Sequence, residues 1–227
     1  MIVGRSACPL CSAEIKWYDN IPILSFILLK SRCRYCNGNI SPQYLLVEII
    51  SGVGFILIFL LDYSISAKVF LSALLILYLI IFFIDIKHFI IPDELSFTII
   101  ALAFIKNFLP SLHSHFTHDI TQSVAGGLLG YFSIWIVIFI YRKLKNTEAM
   151  GLGDAKLMAG IGLLFGWEAI PLVLFIAAVI GLVMVIPSLL KGKRNLQSQI
   201  PFGPYIISAG IVYFIFGNSL YQAVFVI

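Results

Sequence analysis

Charge is what this chain has least of. Of its 227 residues only 11% are Asp, Glu, Lys or Arg, whereas 60% are hydrophobic and the mean hydropathy is +1.02. Soluble domains carry roughly 25% charged and 45 to 50% apolar residues, so the scarcity of charge excludes an ordinary soluble protein. The net charge of +4 matters less than where it sits, and no nucleic-acid partner is expected. Cysteine is absent after residue 36, and nowhere does a glycine-rich strand-to-helix fingerprint for a nucleotide-like cofactor occur. No convincing internal repeat of the kind transporters use is present. Residues 1–43 lack the apolar core and cleavage site of a removable signal, and they read as a cytoplasmic domain.

What fills the remainder is apolar. Seven runs, at about 44–61, 66–84, 94–109, 121–141, 154–166, 168–190 and 203–224, predict an all-α polytopic membrane protein of about seven transmembrane helices. The third and fifth are short and bordered by Gly or Pro, a pattern that marks irregular helices lining a site. With a cytoplasmic N-terminus, thirteen of the fifteen basic residues fall in interior regions, leaving only Lys68 and Lys106 outside. That bias satisfies the positive-inside rule and puts Asp85, Asp93 and Asp154 on the cytoplasmic side. The domains expected are 1–43, carrying the cysteines, and 44–227, lying in the bilayer.

Two acids interrupt the apolar pattern. Asp154 ends Gly151-Leu-Gly-Asp154 at the mouth of the run Ala155 to Phe165, and Asp85 closes Val69 to Ile84. An ionisable group at mid-bilayer costs ~2.5–3.5 kcal/mol, so acids beside spanning segments are functional candidates. Gly151 and Gly153 let backbone approach a substrate strand, or else an opposing helix. Lys156, two positions from Asp154 and on another face, is expected at lipid headgroups rather than beside the acid. Asp93, after Pro92, is expected to cap the following helix. Glu48 is expected to pair with Arg32 or Arg34. His113, His115, His118 and Asp119 read as a solvated outer loop.

The four cysteines form two pairs, Cys8-Pro-Leu-Cys11 and Cys33-Arg-Tyr-Cys36. This spacing suits a tetrahedral structural zinc site, in which four sulfurs leave no position for an activated water. Disulfides, redox chemistry and iron are the competing readings; a reducing cytoplasm argues against the first.

Taken in order, several motifs resemble the bacterial type IV prepilin peptidases, GxGD-type membrane proteases also called prepilin leader peptidase/N-methyltransferases. The matching residues are the two cysteine pairs, Trp17-Tyr-Asp-Asn-Ile-Pro22, Phe83-Ile-Asp85, Ile91-Pro-Asp93, Glu148-Ala-Met-Gly-Leu-Gly-Asp154-Ala-Lys156 and Pro201-Phe-Gly-Pro204. Members of usual length begin with a further hydrophobic span, so seven spans stand here in place of eight. The resemblance implies cleavage of the leader from prepilins or pseudopilins at the cytoplasmic face of the bacterial inner membrane. It also implies N-methylation of the new terminus with S-adenosylmethionine, an activity that the missing span puts in question.

Carried over by position, the catalytic pair is Asp85 and Asp154, with Asp93 the nearest rival for the first role. Two close carboxyl groups sharing one proton can activate water and polarise a carbonyl together. From helix dipoles, Asp154 in a first turn is the expected base and Asp85 at a helix end the expected acid. A different class is a non-enzymatic assembly factor, or an ion or metal transporter with the aspartates as ligands.

Overall fold

The computed structural model describes residues 6–109, 112, 116–117, 119–145, 150–190 and 200–225. His113, His115, His118 and Glu148 lie outside them. All regular structure among the described residues is helical, in two compact units, Met1–Tyr63 and Ser64–Ile227.

In the first unit the two cysteine pairs make the same turn twice. Ser12 N–H donates to the Cys8 carbonyl at 2.8 Å, and Asn37 N–H to that of Cys33 at 3.0 Å. Ser12 and Asn37 both take the left-handed conformation (φ 57° and 56°) that closes such a turn. Short antiparallel bridges flank each turn, Ala7 with Glu14 and Arg32 with Asn39. Between the turns lie a 3-10 helix, Trp17–Asn20, and the one-turn helix α1, Leu24–Leu28. Arg34 grips Asp19 through Nε at 2.9 Å and Nη2 at 2.6 Å, with its guanidinium 5.6 Å from the Tyr18 ring centre. The long helix α2, Pro42–Leu60, starts on the Ser41 hydroxyl, which accepts the Gln43 amide, with proline pre-set at its first position. Glu48 does not pair with Arg32 or Arg34. Its Oε2 accepts the Ile23 amide at 2.7 Å, because Arg34 is already bidentate on Asp19 and the start of α1 has no side-chain cap.

The second unit is a bundle of α3 (Ile65–His88), α4 (Asp93–Ile105), α5 (Ile120–Lys145), α6 (Leu152–Phe165), α7 (Ala169–Leu190) and α8 (Gly203–Phe225). Helices thus occupy all seven apolar runs. Four of them, α2, α3, α5 and α7, are long and apolar enough to cross a membrane. At 1.5 Å per residue α4 and α6 reach only about 20 Å, short of a hydrocarbon layer of about 30 Å. The short α6 is the axis of the bundle: every residue from Leu157 to Leu164 is buried, against α5, α4, α7 and α8.

Glycine permits that packing. A Cβ at Gly126 of α5 would run into the Gly162 carbonyl, and one at Gly162 into that of Gly126, while Gly130 rides over Met158. The helices therefore meet backbone to backbone. At the far end of α6 its last carbonyls are covered by a buried polar chain. Lys106, only 1% exposed, donates to Asn107 Oδ1 (2.7 Å) and the Thr117 carbonyl (2.5 Å); Asn107 donates to Ser123 Oγ (3.2 Å), which donates to the Leu163 carbonyl (2.6 Å). Read as a basic residue of an outer loop, Lys106 is instead an interior bond donor.

Candidate active site

Asp85 and Asp154 come from opposite halves of the second unit and are buried, 4% and 6% exposed. Asp85 stands one turn before the end of α3. That helix stops at Phe89, whose left-handed backbone (φ 57°, ψ 33°) returns its amide to the Asp85 carbonyl at 2.9 Å. The reversal sends the chain through Ile91 and Pro92 into α4. Asp154 is the third residue of α6. Its Oδ2 accepts the Gly151 amide at 3.2 Å, as an acidic side chain at this position does when it reaches back over a helix start.

Ile91 packs between the two aspartate segments. A Cβ on Gly153 would lie 2.7 Å from Ile91 Cβ, and one on Gly203 would lie 3.0 Å from Ile91 Cδ1 and 2.8 Å from Asp85 Oδ2. Gly203 opens α8, and its amide donates to Asp85 Oδ2 at 3.0 Å. Ile91 is thus the shared neighbour of Gly153, beside Asp154, and of Gly203, which holds Asp85. Asp154 Oδ1 is buried and has no hydrogen-bond partner among the described residues. The arrangement is two carboxyl groups, each held by one helix-start amide, with one oxygen left free for a proton or a water.

The dipole argument for separating base from acid loses its ground here. Asp154 meets the start of α6, but Asp85 meets the start of α8 through Gly203, so both acids see a positive helix end.

The two glycines differ in their surroundings. Gly153 is a packing glycine against Ile91, whereas a Cβ on Gly151 would meet nothing closer than 3.8 Å. Pro92 is the cap residue of α4 and Asp93 its first helical residue, without a capping bond. Asp93 is instead paired with Lys156, Nζ to Oδ1 2.6 Å, and Lys156 lies 5.1 Å over the Phe97 ring. Lys156 is thus engaged by protein and not reserved for headgroups: one turn of α6 sets Asp154 inward and Lys156 toward α4. Sequence reasoning missed Gly203 and Ile91 as positioning residues, although both lie in the quoted motifs Pro201-Phe-Gly-Pro204 and Ile91-Pro-Asp93.

The Asp93 carboxylate is 61% exposed, so this ion pair contributes ~1 kcal/mol or less. Lys156→Met is expected to lower kcat/KM by no more than about fivefold, and the exchanged pair Asp93→Lys with Lys156→Asp to recover most of it, measured by steady-state kinetics.

The four Sγ atoms of Cys8, Cys11, Cys33 and Cys36 all lie within 4.8 Å of one another, Cys8 and Cys36 at 3.9 Å. Tetrahedral zinc–sulfur bonds of about 2.3 Å give sulfur–sulfur edges of about 3.8 Å, so the set fits one ion. Backbone amides of Cys36 and Tyr35 aimed at Cys33 hold its thiol down at about 6. Although the Ala13 amide lowers it, Cys11 is held up at about 11 by desolvation and the three neighbouring sulfurs, the crowding that a cation relieves.

Comparison with known proteins points to one family. Residues 1–61 match the bacterial peptidase A24 N-terminal domain, and residues 72–186 match the type IV leader peptidase family. A prepilin leader peptidase/N-methyltransferase of Burkholderia pseudomallei (strain 1026b) is 32% identical over 224 residues, covering 97% of this chain and 70% of the relative. Proteins of the same name from Aeromonas hydrophila (32%; 97% and 74%) and Pectobacterium carotovorum subsp. carotovorum (33%; 91% and 72%) are similar. No solved structure matches. These likenesses favour an enzyme over an assembly factor or a transporter. With its buried aspartates and apolar helices, the chain is a membrane protein and belongs to the type IV leader peptidase family.

Proposed function

We propose that this protein cleaves the leader from type IV prepilins or pseudopilins at the cytoplasmic face of the bacterial inner membrane, with Asp85 and Asp154 as the catalytic pair. The observation that carries the reading is the convergence of two buried carboxylates, held by Gly203 and Gly151, with an Asp154 oxygen that has no hydrogen-bond partner among the described residues. In this reading all seven helices cross or enter the bilayer. The bias of basic residues puts the N-terminal ends of α4 and α6, and so the site, on the side of the cytoplasmic water that the reaction consumes.

The pair shares one proton. The ionised carboxylate takes a proton from water as its oxygen attacks the scissile carbonyl carbon, and the protonated one gives its proton to the carbonyl oxygen. Collapse of the tetrahedral intermediate returns a hydroxyl proton to the carboxylate that had protonated the carbonyl oxygen and breaks the C–N bond, and the departing amine receives the proton taken from water. No acyl-enzyme forms. Because one acid and one base are needed, activity plotted against pH is a bell.

Zinc held by Cys8, Cys11, Cys33 and Cys36 is structural in this reading: four thiolates fill its shell and tie the two turns together. N-methylation of the new terminus is the second proposed activity, and S-adenosylmethionine supplies the methyl group. Within the first unit a cleft of about 560 Å³, lined by Asp19, Arg34, Asn39 and Tyr44 among others, is large enough for a small molecule.

Purified chain incubated with a prepilin and labelled S-adenosylmethionine is expected to release the leader and label the mature terminus, both read by mass spectrometry. An uncut prepilin overturns the peptidase reading. Cleavage without label overturns the methyl transfer alone.

A further inference from the structure

The one-turn helix α1 is inside out for a segment facing water. Its only polar residue, Ser25, is buried, accepting the Ile21 amide (3.0 Å) and donating to the Tyr18 carbonyl (2.9 Å), while Leu24, Ile27 and Leu28 are 49%, 61% and 70% exposed. Just before it Trp17 is 80% exposed. A folded domain that turns its hydroxyl inward and its leucines, isoleucine and tryptophan outward is matched to a medium less polar than water. The fold does not do this for want of polar residues: Lys16, Lys30 and Arg32, also exposed, flank the apolar patch on both sides in the chain. Tryptophan, aliphatic side chains and a fringe of Lys and Arg make the composition that settles at the boundary of headgroups and acyl chains.

Depth is given by Glu48. Its carboxylate holds the Ile23 amide at 2.7 Å, so the start of α1 lies beside α2 at the level of Glu48 and not beyond the helix end. Glu48 stands seven residues after the Ser41 cap, about 10 Å along the axis. The whole of α2, 19 residues, measures about 28 Å, close to the thickness of a hydrocarbon layer. With α2 crossing the membrane, the level of Glu48 is at or below the headgroups, and the segment beside it cannot stand in bulk water. Hydrogen bonding of the Ile23 amide and of the Ser25 hydroxyl removes polar groups that this depth would otherwise leave unsatisfied.

We infer that Trp17 to Leu28 is an interfacial anchor, seated in the cytoplasmic leaflet of an anionic phospholipid bilayer with Leu24, Ile27 and Leu28 in the acyl boundary and Lys16, Lys30 and Arg32 on lipid phosphates. The cysteine turns, which begin and end this segment, are thereby held at the membrane surface, where a substrate whose cleavage point lies at that surface arrives. The inference rests on α2 spanning the bilayer, as in the function proposed above.

Trp17 is its own reporter. In the full chain carrying Trp135→Phe and Trp167→Phe, reconstituted in vesicles of phosphatidylcholine and phosphatidylglycerol, Trp17 emission is expected to be blue-shifted and resistant to acrylamide. Lipids brominated near the headgroup end of the acyl chain should quench it by more than half. Unchanged leader cleavage by this variant shows that it is folded. Ready quenching by acrylamide with no effect of brominated lipid overturns the inference by placing the segment in water; protection from both quenchers overturns it by placing the segment under protein. A second chain, with Trp17→Phe added and Val53→Trp in mid-α2, keeps the two readings apart. If Val53→Trp is not quenched by lipid brominated deep in the chain, α2 does not span and the underlying reading has failed; if it is quenched while Trp17 is not, only the anchor has.

Discussion

Asp85→Asn and Asp154→Asn each lower leader cleavage by at least about three orders of magnitude, with the protein still folded and inserted. Asparagine keeps the shape of the side chain and can still accept the Gly203 or Gly151 amide, so the local structure survives. What it cannot do is take a proton from water or share one with its neighbour, and a site of one carboxyl and one amide has no acid–base cycle. Asp93→Asn is the necessary comparison. Asp93 is exposed, sits in the first turn of α4 and is engaged by Lys156, so its amide variant should retain most of the rate, within about fivefold. Radiometric or mass-spectrometric assay of prepilin cleavage separates the cases easily.

Gly203→Ala gives the second large effect, and through geometry alone. The new methyl group would stand 2.8 Å from Asp85 Oδ2, below any ordinary contact, and 3.0 Å from Ile91 Cδ1. The isoleucine terminus can rotate away; the carboxylate, buried and bonded to the amide of this same residue, has to move. Displacing a catalytic group by about 1 Å costs on the order of 100-fold in rate, so kcat should fall by about that factor with KM little changed. Stability should not fall in step, because alanine is the better helix former in the first turn of α8. Gly52→Ala on α2, where nothing lies within 4 Å of the new methyl group, is expected to leave activity unchanged.

Both variants act on relations between segments, and these mark the limit of what could be read in the linear chain. The apolar runs carried the helices because length and composition decide which segments leave water, and each of the seven became one. The short runs at 94–109 and 154–166 carried the site because a helix too short to span must end inside the protein, next to whatever satisfies its backbone. Asp154 was legible from its glycines and Asp85 from its position closing an apolar run. Gly203 was not, since nothing local to Pro201-Phe-Gly-Pro204 says that its amide meets a carboxylate 118 residues away. Lys156 misled as a headgroup anchor and Lys106 as an outer basic residue, because only tertiary contact shows Asp93 or the Thr117 carbonyl waiting for them. Gly126 and Gly130 were equally silent, because a glycine in an apolar helix gives no sign of which backbone it will touch.

The helix-dipole argument for telling base from acid started from an incomplete premise. It treated each aspartate as belonging to its own helix. Asp85 is electrostatically a residue of α8 as much as of α3, because the donor that reaches it opens α8. The two acids are therefore better treated as one titrating unit.

The most direct test of the central claim, that Asp85 and Asp154 form a single catalytic unit, is a double-mutant cycle on prepilin cleavage by the purified, reconstituted protein. The account predicts that Asp85→Asn, Asp154→Asn and the double variant lose the same amount of rate, since removing either partner removes the shared proton and the second substitution has nothing further to take. Independent losses that multiply in the double variant, or a rate retained by Asp85→Asn and abolished by Asp93→Asn, would contradict it.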